Sequence, residues 1–174
     1  MDKKMFSNLK ADFKRYGKFT PYLIFEQGIW AIVVFRFGSW VNSFRIPVLS
    51  LFLKIIAFFL FKMIESTTGI SIPASAKIGK GFYIGHFSGI IVHSDAEMGE
   101  NCSIGPGVVI GTRGVGNQGV PQIGNNVYIG VGAKVLGNIK IGNNVRIGAN
   151  AVVIKDVPND ATVVGIPSRI IEKK

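Results

Sequence analysis

The sequence predicts a mainly β protein, in which a six-residue solenoid follows an N-terminal α-helical region. Through most of the last hundred residues an aliphatic side chain returns every six positions, usually with glycine directly behind it. Helices and ordinary strands have periods of 3.6 and 2 residues, so neither explains this repeat. A period of six is typical of a triangular coil, in which each hexapeptide forms one flat side and turns one aliphatic side chain inward. These positions are Ile72, Ile78, Ile84, Val92, Met98, Ile104, Ile110, Ile123, Ile129, Val135, Ile141, Ile147 and Val153.

Two breaks in this register point to a functional site. Eight residues instead of six separate Ile84 from Val92, which places two extra residues beside His86. Thirteen residues separate Ile110 from Ile123, which predicts that a glycine-rich loop leaves the coil. Loops carried by a rigid scaffold are common places for binding and catalysis. We therefore expect a site near His86.

Three apolar segments precede the repeat and predict helices. Residues 1–20 have the spacing of a basic amphipathic helix, and residues 22–44 form an aromatic-rich segment. The third segment begins at Pro47, a normal residue for a first helical turn, and runs to about Glu65. It is apolar nearly all round, unlike a helix with a solvent-facing side.

The 174 residues are enough for one domain with a helical appendage. The predicted division is an apolar and basic helical region over 1–68, a solenoid domain over 69–155 and a C-terminal cap over 156–174. The cap is expected to close the last coil, which would otherwise expose a sheet edge.

The third apolar segment raises the question of a membrane. Its length is near the roughly 20 residues that a spanning helix needs, but it carries Lys54 in its middle and Lys62 near its end. A central lysine is costly in lipid, whereas an interfacial helix with lysines facing anionic lipid fits better. We expect peripheral attachment to the cytoplasmic face of the cell membrane, with helix packing alone and a true span as alternatives.

Composition narrows the possible partners. The net charge is +10, of which residues 1–70 carry +6. The cations alternate with large apolar residues instead of forming a basic stripe with stacking aromatics, so we expect no nucleic-acid partner.

The single cysteine, Cys102, excludes an internal disulfide and favours a reducing cytoplasm. No signal-peptide pattern follows the charged N-terminus, and no metal-ligand spacing is present, so we expect no metal.

The candidate chemistry centres on His86. A neutral imidazole removes a hydroxyl proton near pH 7, because its pKa lies near that pH. The only other histidine, His93, is expected to be a packed or exposed side chain without a catalytic role. No nucleophile–base pair is evident, so we expect direct attack by an activated hydroxyl on an activated acyl donor.

Four ordered segments carry a family resemblance. They are IPASAKIGKG at 72–81, HFSGIIV at 86–92, IGVGAKVLGN at 129–138 and GIPSR at 165–169. Over about residues 69–171 the sequence resembles the hexapeptide acyltransferases, and within them the serine acetyltransferase branch. The resemblance implies a left-handed parallel β-helix, a homotrimer and acetyl-CoA bound in the groove between adjacent subunits.

Carried over by position, the resemblance implies that His86 is the catalytic base. It also implies that the loop over 111–121 flanks the active site, and that backbone amides near its start stabilise the oxyanion. Basic side chains favour CoA phosphates. The implied acetyl-CoA contacts are Gly111, Gly130, Val131, Gly148 and Ala149 along the CoA arm, and Lys155 and Arg169 at the phosphates.

Three departures from the branch bear on the acceptor. Gly85 stands where the branch has an acid before the catalytic histidine, Val120 replaces a second histidine, and Ser71 replaces the aspartate that orients the base. A serine acceptor carries an ammonium and a carboxylate, which call for charged partners. We therefore expect acetylation of a sugar hydroxyl in polysaccharide or glycolipid biosynthesis. Serine O-acetylation for cysteine biosynthesis and a non-enzymatic membrane scaffold stay open as alternatives.

Overall fold

A computed structural model of the chain describes residues 3–17, 21–43, 46–114, 116 and 119–171. Helix α1 spans Lys3–Lys14, α2 Gln27–Asn42 and α3 Pro47–Thr68, with a 3-10 helix over Pro21–Phe25. Thus α2 starts five residues later than predicted, because the chain first makes the 3-10 turn. Residues 18–20 and 44, at the ends of two predicted helices, lie outside the described residues. Among the described helices, none is long and apolar enough to cross a membrane.

Helix α3 continues one turn beyond the predicted end at Glu65. It stops at Gly69, which has a φ of 68° and donates its N–H to the Glu65 carbonyl at 3.0 Å. Glycine adopts this left-handed conformation without the strain that a Cβ would add. The first strand of the coil follows directly.

In the described residues, fifteen short strands form three sheets along the sides of the coil, and each of the first four turns contributes one strand to each sheet. Sheet A contains β1 (Ile70–Ser71), β4 (Ile90–Val92), β7 (Val109–Gly111), β10 (Lys134–Leu136) and β13 (Val152–Val153). Sheet B contains β2 (Lys77–Ile78), β5 (Glu97–Met98), β8 (Gln122–Ile123) and β11 (Lys140–Ile141). Sheet C contains β3 (Tyr83–Ile84), β6 (Ser103–Ile104), β9 (Tyr128–Ile129), β12 (Arg146–Ile147), β14 (Thr162–Val164) and β15 (Arg169–Ile171). All pairings between these strands are parallel except that of β14 with β15, which adds a last strand at the edge of sheet C.

The strand register reproduces both predicted breaks. Lys134 pairs with Val152, 18 residues later, as three hexapeptides require. Tyr83 pairs with Ser103, 20 residues later, so this coil holds two extra residues. Ser103 pairs with Tyr128, 25 residues later, so the extruded loop adds seven.

The prediction of one inward side chain per hexapeptide is incomplete, because the residue two positions earlier also points inward. Side chains at i and i+2 lie on the same face of a strand. Cys102 belongs to this second set and is fully buried, and burial raises the pKa of its thiol. The second set is Ala76, Phe82, Ile90, Ala96, Cys102, Val108, Val127, Ala133, Ile139, Val145 and Ala151.

A buried ion pair attaches the helices to the first coil. Arg36 of α2 donates to both carboxylate oxygens of Asp12 on α1, at 2.8 and 3.2 Å. It also donates to the carbonyls of Ile78 and Gly79, each at 2.6 Å. Asp12 accepts the N–H of Phe82 at 2.8 Å. Both charged side chains are buried, so two helices and the coil share one polar cluster.

Candidate active site

His86 lies in the two-residue bulge, at the corner where sheet C passes into sheet A. Ser88 in this bulge has a φ of 92°, which costs a residue with a Cβ about 1–3 kcal/mol and is often found at functional sites. The bulge is nevertheless well held. Gly107 donates its N–H to the Ser88 carbonyl at 2.9 Å, and Ile90 donates to the Gly69 carbonyl at 3.1 Å.

The two histidines differ in their surroundings. The His86 side chain is exposed, and no described residue forms a hydrogen bond with its ring. His93 lies at the other end of β4 and is half-buried, and its Nδ1 accepts the N–H of Asp95 at 3.2 Å. His86 is therefore placed to meet a ligand, while His93 has a local partner.

The corner beside His86 continues along the coil as a strip in which glycine recurs. A Cβ on Gly130 would lie 2.7 Å from the Ala149 nitrogen, and one on Gly148 would lie 2.7 Å from a side chain of the following coil. Val131 and Ala149 are exposed on this strip. We call the strip of His86, Gly130, Val131, Gly148 and Ala149 the His86 edge. The two glycines let successive coils stack closely at this corner, and Val131 and Ala149 are the positions that face solvent.

Three further predicted contacts divide between two edges. Arg169 begins β15, opposite Val164 at the His86 edge, and its side chain is exposed. Gly111 and Lys155 lie instead where sheet A passes into sheet B, which we call the loop edge. A three-residue strand of about 10 Å separates the two edges. One chain therefore does not bring these two residues to His86.

The described part of the extruded loop folds back over the following coil. A Cβ on Gly137 would lie 2.5 Å from Cδ of Arg113, so this arginine packs across a position without a side chain. Glycine at position 119 likewise lets the loop backbone pack closely against Asn138 of the following coil. Gly137 donates its N–H to the Gly111 carbonyl at 2.8 Å, which fixes the loop's start. Three loop residues, Val115, Asn117 and Gln118, lie outside the described residues.

One carboxylate outside the sequence-predicted site lies at the helix end that contacts the bulge. Ser71 Oγ donates to Glu65 Oε1 at 2.6 Å, and Lys62 Nζ donates to Glu65 Oε2 at 2.6 Å. The hydrogen bond from Lys62, together with that from Ser71, lowers the pKa of Glu65. The sequence contains one signal for this carboxylate, since Glu65 is an acidic residue near the end of an apolar helix that leads into the coil. Among the described residues, no three His, Cys, Asp or Glu side chains cluster as metal ligands.

Comparison with known proteins identifies related chains. The family model described as "Bacterial transferase hexapeptide (six repeats)" matches residues 121–155. A serine acetyltransferase of Synechococcus elongatus is 41% identical, over 96% of this chain and 69% of its own. The serine acetyltransferase of Escherichia coli K12 is 35% identical, over 90% of this chain, which spans only 55% of that protein.

Solved structures agree in fold. Soybean serine acetyltransferase complexed with serine matches with a TM-score of 0.84 and 32% identity, over 98% of this chain and 70% of that one. Serine acetyltransferase from Brucella abortus in complex with coenzyme A matches with a TM-score of 0.79 and 31% identity, over 97% and 66%. The predicted left-handed parallel β-helix behind N-terminal helices is confirmed. The chain belongs to the hexapeptide acyltransferases, in their serine acetyltransferase-like branch.

Proposed function

We propose that this chain is an acetyl-CoA-dependent O-acetyltransferase in which His86 is the general base. His86 takes the hydroxyl proton while the acceptor oxygen attacks the thioester carbonyl carbon. The tetrahedral intermediate then collapses, the C–S bond breaks, and His86 returns the proton to the CoA sulfur. The observation that carries this proposal is the exposed His86 on a strained bulge, at the end of a solvent-facing edge that includes Val131 and Ala149.

The two edges support a homotrimer with the site between adjacent copies. The exposed Val131 and Ala149 of the His86 edge offer a surface for the CoA arm, and Arg169 adds a cation there for phosphate. Gly111 and Lys155 lie at the loop edge, so they meet the same ligand only from a neighbouring copy. The Brucella abortus structure in complex with coenzyme A supports this ligand. The backbone near the neighbour's Gly111 is the proposed oxyanion donor.

Subunit complementation tests the shared site. His86→Ala and Lys155→Glu variants are each expected to lose activity, since each damages one edge. When the two are co-expressed, some interfaces pair an intact His86 edge with an intact loop edge, and part of the activity should return. Light scattering should give a trimer mass. A fully active monomer would contradict the shared site.

His86→Ala tests the base itself. Loss of a general base costs about 10²–10⁴-fold, so kcat should fall by that factor while the Kd for acetyl-CoA changes little. Lys77→Met is the control, because it changes only an exposed ion pair with Glu97 on sheet B, away from both edges. Turnover by His86→Ala within about threefold of the parent chain would sink the assignment.

L-Serine is the acceptor that the relatives support, in preference to the sugar hydroxyl expected from the sequence. The soybean structure complexed with serine matches 98% of this chain. Arg113 supplies an exposed cation on the extruded loop for the serine carboxylate. Measurement of CoA release with L-serine beside a panel of sugars and nucleotide sugars tests this. L-Serine is expected to give the highest kcat/KM.

A sugar hydroxyl is the second candidate, because the neutral residues at 71, 85 and 120 leave few charges for an amino acid. Gly85 offers a direct test of this point. An added Cβ there meets only ordinary contacts, 3.7 Å from Tyr83 Cε1 and 3.9 Å from the Ile104 carbonyl. Gly85→Asp therefore restores the acid without a clash. If the parent chain prefers sugars and Gly85→Asp raises turnover of serine, the sugar is the natural acceptor.

We also propose that the helical region attaches to an anionic membrane surface. Val48, Phe52 and Phe59 follow helical spacing along one face of α3 and are 84%, 60% and 66% exposed. Large exposed apolar patches mark interaction or membrane sites. Lys54 is exposed on the same helix, and residues 1–70 carry a net charge of +6. Apolar area beside positive charge fits anionic lipid, and three copies in a trimer add avidity.

Sedimentation with vesicles tests this attachment. The parent chain should sediment with vesicles that contain phosphatidylserine, and less so with neutral vesicles or at high salt. Phe52→Ser with Phe59→Ser should release it, whereas Ile170→Ser removes a side chain of 51% exposure far from α3 and serves as the control. If the chain stays in the supernatant and the double variant instead forms a smaller assembly than the parent chain, the α3 face joins copies of the chain.

A further inference from the structure

The bulge that carries His86 rests on the end of α3. Gly69 ends that helix, and its carbonyl accepts the N–H of Ile90 at 3.1 Å. A Cβ on Gly69 would lie 3.1 Å from the nitrogen of Gly89, so the helix end and the bulge are in direct contact. His86 stands three residues before Gly89, which limits their separation to about 10 Å. The last turn of α3 therefore contacts the bulge that carries the candidate base.

This same turn holds a carboxylate over the outer face of sheet A. Ser71 points outward from β1, because Ile70 and Ile72 on either side are buried. Its hydroxyl donates to Glu65 Oε1 at 2.6 Å. The other carboxylate oxygen of Glu65 accepts from Lys62, and this ion pair is half-exposed. The carboxylate is thus fixed between the helix end and the strand that neighbours the bulge.

A histidine base works best when a third group holds its ring. The hydrogen bond at one ring nitrogen sets the tautomer and leaves the lone pair on the other nitrogen for the substrate. In the residues that the structure covers, nothing bonds the His86 ring. A serine hydroxyl that donates to a carboxylate keeps its own lone pairs as acceptors.

We propose that Glu65, acting through Ser71, orients His86. In the proposed arrangement the exposed His86 side chain turns toward sheet A and its ring N–H donates to Ser71 Oγ, while Ser71 continues to donate to Glu65. Glu65 and Ser71 are positioning residues, and the proposal rests on the role of His86 as the base. The charge of Glu65 also favours the imidazolium that forms when His86 takes the acceptor proton, because a polarised hydroxyl transmits part of that charge.

Four variants and a rescue test this relay. Glu65→Gln keeps an oxygen for Ser71 but removes the charge, and Ser71→Ala removes the link. Each is expected to lower kcat by about tenfold or more with an unchanged KM for acetyl-CoA. The double variant should be no slower than the slower single one, since both changes break one chain of bonds. Lys62→Met is the control and should keep kcat within about twofold, because the Ser71–Glu65 bond stays intact.

The rescue separates positioning from mere structure. Ser71→Asp in the Glu65→Gln background places a carboxylate directly at the strand and should recover most of kcat. Loss of activity without this recovery, or a rise in KM instead of a fall in kcat, overturns the relay. Normal kcat in Glu65→Gln and Ser71→Ala, with His86→Ala inactive, overturns the relay alone. An active His86→Ala instead removes the proposed function, and the relay with it.

Discussion

Removal of Arg36 should expose how strongly the helices depend on one buried charge pair. Arg36→Met removes four hydrogen bonds, two to Asp12 and one each to the Ile78 and Gly79 carbonyls. It leaves the Asp12 carboxylate, which is 2% exposed, without its counter-charge. Breaking a buried pair on one side costs about 3–5 kcal/mol. We expect a loss of free energy of unfolding in that range.

A second substitution separates the uncompensated charge from the other bonds. Asp12→Leu added to Arg36→Met removes the buried charge and should recover part of the loss. The Phe82 N–H and the two carbonyls of the first coil still lack partners, and each unsatisfied buried group costs about 1–3 kcal/mol. The double variant should therefore stay less stable than the parent chain.

Urea unfolding at fixed protein concentration measures these differences, because assembly shifts apparent stability. The control is Lys77→Met, which breaks an ion pair of 2.6 Å whose side chains are 78% and 43% exposed. Such surface pairs contribute about 0–1 kcal/mol. If Arg36→Met costs no more than Lys77→Met, the buried cluster does not hold the helices and the reasoning is refuted.

Three further predictions concern single sites. Burial raises the pKa of the Tyr16 hydroxyl above its usual range. The free energy of unfolding should therefore decrease as the pH rises above about 10, where the unfolded chain loses this proton first. In urea titrations at several pH values, Tyr16→Phe should make this decrease shallower. A thiol-reactive dye should label Cys102 only after denaturation, and labelling of the native chain would contradict its complete burial. Gly99→Ala should lower the unfolding midpoint clearly more than Gly85→Ala, since its Cβ would lie 2.7 Å from the Gly124 carbonyl.

The sequence predicts the coil and its breaks because one inward position accepts almost only aliphatic residues. The second inward position escapes the same analysis. Its occupants range from Ala76 to Phe82 and Cys102, so no residue type recurs with a period. The side chains of this second set differ in size and fill the interior of the coil together with the aliphatic side chains. Which sizes fit together can be seen only when the coils are stacked in the structure.

The polar contacts that attach the helices are also invisible to a local pattern. Asp12 and Phe82 are 70 residues apart, and their bond depends on how α1 docks. One signal was nevertheless present, since Arg36 stands between two phenylalanines in an apolar segment. A buried arginine is almost always paired. The sequence therefore indicates that Arg36 has a partner but does not identify it.

The candidate site depends on both the coil and the N-terminal helices. A coil of paired parallel strands holds its corner within narrow limits, which suits the precise placement of a base. The first coil, however, has no preceding coil beneath it, and α3 covers β1 there instead. The bulge with His86 lies at this end, so its underside is formed by Gly69 and the last turn of the helix. The helical layer thus takes the place of a preceding coil. The carboxylate of Glu65 comes from the last turn of this helix and not from a strand of the coil.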